Sequence, residues 1–256
     1  MPDPVVITRP LAQCQALADS VAALGREAVV LPLLEILPLA DQSALKRALA
    51  GLDGYALVAF VSPNAIDAAF AHIDHWPDGV ALAVLGEASR ACLATHGVHE
   101  GNATIFSPID STRSDSEHLL QSLDLAALAG RRVLLVRGET GRELIGDGLR
   151  AAGADVTTVA AYRRRVPVLT PALAATLQRL LARQNDWIIT SSEALRGLLG
   201  LLAQLDDGAA VVKMQQQHLI VPHARIAETA TTLGLTRLTL AGSGDASLLA
   251  ALQSHA

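Results

Sequence analysis

The sequence is poor in the residues that most readily declare a function. It carries two cysteines and only 3% aromatic residues in 256 positions. Neither Cys14 nor Cys92 belongs to a C-x-x-C or other metal-ligand spacing. A disulfide scaffold is excluded, a reduced cytoplasmic compartment is the default expectation, and the stacking surface of a nucleic-acid binder is missing. Positive charge is scarce as well: the net charge is -5 and the isoelectric point lies near 5.9, so no overall basic field attracts a nucleic acid. No apolar run reaches the roughly 18 residues of a membrane span. The most apolar window, Val29 to Leu39, is interrupted by Pro32, Glu35 and Pro38. Met1-Pro2-Asp3-Pro4 lacks the basic start of a secretory signal. Nucleotide and nucleophile signatures are also absent. Gly242-x-Gly244-x-x-Ser247 lacks the third glycine of a dinucleotide fingerprint, Gly138 to Arg142 lacks the lysine of a phosphate loop, and no Gly-x-Ser-x-Gly elbow occurs. His72-x-x-His75 and His96-x-x-His99 have no thiolate partners in sequence and read as surface histidines, so no metal is expected.

What the sequence does have is rhythm. Short β-branched runs begin near Val5, Ala28, Leu57, Ala81, Thr104, Val133, Val156, Trp187, Leu219 and Leu238, with helical patterns between them. Alternation of this kind feeds a mostly parallel sheet. The runs are continuously apolar, as strands covered on both faces require. Gly25, Gly97, Gly153 and Gly234 each close a helical pattern just before a strand, where a cap needs positive φ. Ser62-Pro63 and Thr190-x-x-Glu193 read as helix starts.

The chain also repeats itself. Val5-Val6-Ile7-Thr8-Arg9 returns 128 residues later as Val133-Leu134-Leu135-Val136-Arg137, and Gly25 returns as Gly153. Phe60-Val61-Ser62-Pro63-Asn64-Ala65 returns at 129 as Ile189-Thr190-Ser191-Ser192-Glu193-Ala194. One match pairs the start with the middle and the other pairs the first third with the last, so one lobe must be split around the other. The expected fold class is α/β: two flavodoxin-like parallel-sheet lobes joined by a two-stranded connector, one lobe discontinuous. Lobe A is residues 1–34 plus 168–256 and lobe B residues 38–162, with connectors near 33–38 and 161–167. The connectors are expected to form a short antiparallel ladder, a hinge with Glu35 opposed to Arg163 to Arg165.

In such folds ligands sit outside the carboxyl ends of the strands. The turns there hold Arg9, Ser62-Pro63-Asn64, Gly86-Glu87, Arg137-Gly138, Ser191-Ser192 and Pro222-His223. Helix N-termini lining a cleft would bind a polyanion without a basic surface. Arg9 and Arg137 occupy the same repeat position and suit carboxylate recognition, or else form surface ion pairs. Tyr162, one of two tyrosines, lies on the second connector and either offers a phenol to a ligand or packs there.

Taken in order, Val6 to Pro10, Phe60 to Ala65, Val84 to Ala88, Leu134 to Arg142, Tyr162-Arg163, Ile189 to Ser192 and Val221 to Ala227 resemble the uroporphyrinogen-III synthase family. The resemblance covers essentially the whole chain. It implies a cofactor-free cytoplasmic lyase of tetrapyrrole synthesis, acting on hydroxymethylbilane, a linear tetrapyrrole with eight carboxylates. In the family's reaction the hydroxymethyl group leaves as water. The azafulvene so formed is attacked at the substituted α-carbon of the last pyrrole, and a spiro intermediate breaks and recloses with that ring inverted. The resemblance places the family's tyrosine on Tyr162, as hydrogen-bond donor or general acid. It has the Ser62-Pro63-Asn64, Ser191-Ser192 and Pro222-His223 turns hold substrate carboxylates largely through backbone N–H groups; Arg9, Gly86, Glu87, Arg137 and Gly138 are expected substrate contacts from their place at the strand ends. Many relatives carry a hydroxyl residue where this chain has His223. A monomer is expected, in transient contact with the preceding pathway enzyme and with neither nucleic acid nor membrane as partner. The alternative is a non-enzymatic two-lobe sensor or binding protein for a small anion, since fold alone does not fix function.

Overall fold

The structure, a computed structural model, describes residues 3–109, 116–141, 143–205 and 209–254. Met1, Pro2 and Arg142, all used in the sequence argument, lie outside the described residues. The first elements are β1 (Val5–Ile7), α1 (Gln15–Ala23), β2 (Ala28–Val30), β3 (Glu35–Pro38), α2 (Ser43–Leu49), β4 (Leu57–Phe60) and α3 (Pro63–Phe70). There follow β5 (Ala81–Val84), α4 (Glu87–Thr95), β6 (Ile105–Phe106), α5 (Ser116–Gln121), β7 (Arg132–Gly138), α6 (Leu144–Ala151) and β8 (Asp155–Arg165). The last are α7 (Pro171–Leu181), β9 (Asp186–Ile188), α8 (Ser192–Leu202), α9 (Ala210–Gln215), β10 (His218–Val221), α10 (Ala224–Thr232), β11 (Leu238–Leu240) and α11 (Asp245–Gln253). Each apolar run singled out in the sequence is a strand. The segments read as connectors are strand too: Glu35–Pro38 is β3, and β8 continues to Arg165. Among the described residues no helix is long and apolar enough to cross a membrane.

The chain divides into two compact units, Met1–Glu35 with Arg165–Ala256, and Ile36–Arg164. The first holds a five-stranded sheet in the order β2-β1-β9-β10-β11, and the second a six-stranded sheet in the order β3-β8-β7-β4-β5-β6. Counted from β1 in the first unit and from β7 in the second, five strands in each follow the 2-1-3-4-5 order of doubly wound sheets. Register repeats as well as order. Val5 lies opposite Ala28 and Asp186, and its repeat mate Val133 lies opposite Val156 and Leu57. All these pairings are parallel.

Each sheet is covered on both faces. In the first unit Val6, Trp187 and Ile189 enter one apolar cluster, and Val5, Ile7 and Ile188 enter the other. In the second, Leu134, Val136, Val58 and Phe60 face one cluster while Val133, Leu135, Leu57 and Ala59 face its opposite. This two-sided burial is why the strands lack polar alternation. Burying each large aliphatic side chain contributes about 1.5–3 kcal/mol. The glycines expected to cap helices do so: Gly25, Gly97, Gly153 and Gly234 have φ of 74, 77, 86 and 79°. One start differs from expectation. The hydroxyl that caps α8 belongs to Ser191, whose Oγ accepts from the Ala194 N–H at 3.3 Å, rather than to Thr190. It is the repeat mate of Ser62, whose Oγ accepts from the Ala65 N–H at 3.2 Å.

Candidate active site

Because every strand of the second unit's β4, β5 and β7 trio runs the same way, the residues after them gather at one sheet edge. Ser62 follows β4 and caps α3, with Pro63 at its first position. Gly86 precedes α4, and exposed Glu87 opens it. Arg137 and Gly138 end β7. Asn64, in the first turn of α3, is partly buried. The starts of α3 and α4 share this edge, where the positive ends of helix dipoles favour negative charge.

Tyr162 is delivered there by an irregularity. Along β8, Ala160 pairs with Arg137 but Tyr162 pairs with Gly138, so Ala161 is an extra residue. Side chains alternate between sheet faces, and a bulge shifts that alternation by one. Val159, Ala161 and Tyr162 consequently all belong to the same apolar cluster. In an unbroken strand Tyr162 would face the opposite side. Instead Tyr162 is 5% exposed, and its Oη lies 3.1 Å from Ser62 Oγ. The ring packs over Gly138, where an added Cβ would come within 3.0 Å of Cζ. Gly138, expected to contact substrate, lies directly under the tyrosine ring here.

The two repeat-related arginines are both paired within their own units. Arg137 is 6% exposed and bonds Glu143 through Nη1, and its Nε donates to the Gly138 carbonyl at 3.3 Å. Arg9, after β1, places Nη1 2.7 Å from Asp245 Oδ1 at the start of α11. Asp245 lies in the Gly242–Asp245 turn, one of the strand-to-helix turns expected to carry function, but neither it nor Glu143 is an expected arginine partner. Both are acidic residues in or next to a helical first turn, a weak signal for an arginine partner.

At the same edge of the first unit's sheet, Ser191 caps α8, and Ser192 Oγ accepts from Thr229 Oγ1 at 3.0 Å, tying the start of α8 to α10. Pro222 is buried and His223 exposed, immediately before α10. His223 does not cap that helix through its side chain. Cys14 donates to the Arg9 carbonyl at 3.3 Å, and burial pushes its thiol above the ordinary range despite the nearby Arg9 charge. It is therefore a poor nucleophile. Two surface hollows, one beside Glu27 and Arg179 and one beside Trp76 and Asn102, contain none of these residues.

The opposite edge of the first unit's sheet carries a different polar group. Asp186 Oδ2 lies 2.5 Å from Arg26 Nη2, and its Oδ1 lies 2.5 Å from His218 Nδ1. His218 Nε2 in turn meets Thr239 Oγ1 at 2.9 Å. Burial alone would raise the Asp186 carboxyl, but hydrogen bonds from His218 and Arg26 outweigh it and hold the group below its ordinary value. Sitting at the amino ends of β9 and β10, this network is far along the strands from the helix starts and serves the fold.

Comparison with known proteins decides the family. The family model described as uroporphyrinogen-III synthase HemD matches residues 15–249. The chain belongs to the uroporphyrinogen-III synthase family. The uroporphyrinogen-III synthase of Salmonella typhimurium is 32% identical over 256 residues, covering 97% of this chain and 99% of the relative. That of Escherichia coli K12 is 32% identical over 255 residues with the same coverage, 97% and 99%. Among solved structures, uroporphyrinogen-III synthetase from Helicobacter pylori aligns over 100% of both chains with a TM-score of 0.64 at 13% identity. A mutant uroporphyrinogen III synthase from Thermus thermophilus aligns over 98% of both chains with a TM-score of 0.57 at 14% identity. The synthase fold therefore accounts for the whole described chain, both parallel sheets included.

Proposed function

We propose that this chain converts hydroxymethylbilane to uroporphyrinogen III, losing water and inverting ring D, without a cofactor. Membership of the synthase family across nearly the full length supports the reaction. The observation that carries the site is the Tyr162 phenol, hydrogen-bonded to Ser62 at a helix start. In this reading Tyr162 donates to the departing hydroxyl. The C–O bond breaks as the pyrrole's electrons form the azafulvene, and the proton leaves with the oxygen as water. Ser62 aims the phenol, and the bulge in β8 sets its direction. Selectivity matters more than barrier height, because the substrate closes unaided to the uninverted isomer; the enzyme must bring the substituted α-carbon nearest.

Substrate carboxylates are held by backbone N–H groups at the starts of α3, α4, α8 and α10, with Ser62, Pro63, Asn64, Gly86, Glu87, Gly138, Ser191, Ser192, Pro222 and His223 forming those turns. Arg9 and Arg137 contribute charge-assisted contacts as Asp245 and Glu143 yield to substrate carboxylates. The protein works in the cytoplasm as a monomer and meets the preceding pathway enzyme transiently. Residues 33–38 and 161–167 serve as the connectors of two lobes with the boundaries given above.

Fresh hydroxymethylbilane given to the purified protein, free of metal and nucleotide, is expected to yield type III ring in excess over type I, read by chromatography of the oxidised porphyrins. Type I alone rejects the reading. Tyr162→Phe is expected to lower kcat about 10- to 100-fold with KM little changed. An unchanged kcat removes Tyr162 from the mechanism.

A further inference from the structure

Helices α3 and α4 lie side by side in the second unit, and their packing brings Asp67 to Cys92 and His96, a meeting that sequence spacing does not show. Cys92 lies on α4 and His96, four residues on, is the residue that caps its C-terminus, so the two side chains are neighbours. Asp67 of α3 faces them. Its Oδ1 lies 2.8 Å from His96 Nε2 and accepts from Cys92 Sγ at 3.2 Å. One sulfur, one nitrogen and one carboxylate oxygen all lie within 4.8 Å of one another. The imidazole plane is fixed by Phe70, stacked on it at 4.6 Å between ring centres and 17° between planes.

We propose that Asp67, Cys92 and His96 bind a thiophilic divalent cation of the zinc class, clamping α3 to α4. Zinc takes thiolate sulfur at about 2.3 Å and imidazole nitrogen or carboxylate oxygen at about 2.0–2.2 Å, in a tetrahedron. Those bond lengths space neighbouring donors about 3.3–3.8 Å apart, so shifts of about an ångström admit the ion. Water takes the fourth position. On binding, the thiol proton leaves to solvent, the imidazole shifts to its Nδ1–H tautomer to free the Nε2 lone pair, and the carboxylate binds as it stands. The dication, thiolate and carboxylate sum to zero charge. Asp67 is the most exposed member, with its side chain 61% accessible against 28% for His96, and so marks the entry side. The helices tied in this way are those beginning at Ser62 and Gly86, but the ion takes no part in the cyclisation.

The test uses the full-length protein, stripped with chelator under reducing conditions and titrated with Co²⁺. One equivalent is expected to bind, with thiolate-to-cobalt charge-transfer absorption and the intense visible bands of a tetrahedral site. One equivalent of Zn²⁺ should discharge both. Cys92→Ser should abolish the charge-transfer band, and His96→Gln should weaken binding by more than the about 10- to 100-fold that loss of a supporting partner costs. Cys14→Ser should change nothing in the titration, and circular dichroism checks that each variant is folded. Absence of the band in the unaltered protein, its survival in Cys92→Ser, or its loss in Cys14→Ser alone would overturn the site.

Discussion

Single residues in this protein are legible when their work is local and illegible when it is not. Ser62 shows both sides. Its capping of α3 follows from Ser-Pro before an apolar-periodic run, whereas its contact with Tyr162, 100 residues away, has no sequence signature. Asp186 gives the clearest test at this scale. It is 9% exposed, and it holds the buried Arg26. Asp186→Ala leaves that cation without its carboxylate and is expected to cost about 3–5 kcal/mol, measured by urea unfolding at neutral pH. The sign with pH follows from its lowered carboxyl. The folded state gives up this proton more readily than the unfolded chain, so stability rises with pH where the two differ. The contribution is complete above the ordinary value of 3.8 and drains away as pH falls through the lower, folded value. Stability of the unaltered protein should therefore decline in that acid range, with a flatter decline in Asp186→Asn. Equal slopes would show that the carboxylate is not what titrates.

Elements carry a second kind of information. The strands and helix stops are readable because apolar runs and cap glycines are local features, and the internal repeat marks equivalent elements in the sequence itself. The bulge in β8 was not readable. Ala160-Ala161-Tyr162 looks like ordinary strand, and which residue is extra depends on the ladder with β7. Its consequence is testable through Gly138, the residue under the tyrosine ring. Gly138→Ala puts a methyl group 3.0 Å from Cζ and 3.2 Å from Oη, so the ring must give by a few tenths of an ångström and its hydrogen bond to Ser62 is disturbed. The expected outcome is a loss of about 1–3 kcal/mol of stability from overpacking and a several-fold lower kcat for cyclisation. In a double-mutant cycle, adding Tyr162→Phe to Gly138→Ala should cost less than it does alone. Strict additivity would show that the glycine does not act through the phenol. The expected facing of Glu35 and the arginine cluster is met by Arg165, whose Nε and Nη2 donate to Glu35 Oε2 at 3.0 and 2.6 Å. Being exposed, the pair contributes at most about 1 kcal/mol.

At the scale of the whole molecule, the clusters of buried side chains follow the division of the chain. Two lie within Met1–Glu35 with Arg165–Ala256, and two within Ile36–Arg164. The second unit is continuous and owns its core, so residues 36–164 expressed alone are expected to unfold cooperatively. Each unit also holds one tryptophan, Trp187 in the first and Trp76 in the second. Emission from the 36–164 fragment should match that of full-length Trp187→Phe, in which Trp76 is the sole reporter. A red-shifted, non-cooperative fragment would show that the second unit depends on the first.

The order of strands and helices, the equivalence of distant segments and the family were determined by sequence alone. They rest on periodicity, caps and motif order, which are carried by residues close together in the chain. Partnership was decided only by tertiary structure: Arg9 with Asp245, Arg137 with Glu143, Tyr162 with Ser62, and Asp67 with Cys92 and His96. Such pairings are fixed by strand register and helix packing summed over the whole unit. A shift of one residue in one strand is enough to send a side chain to the other face of the sheet.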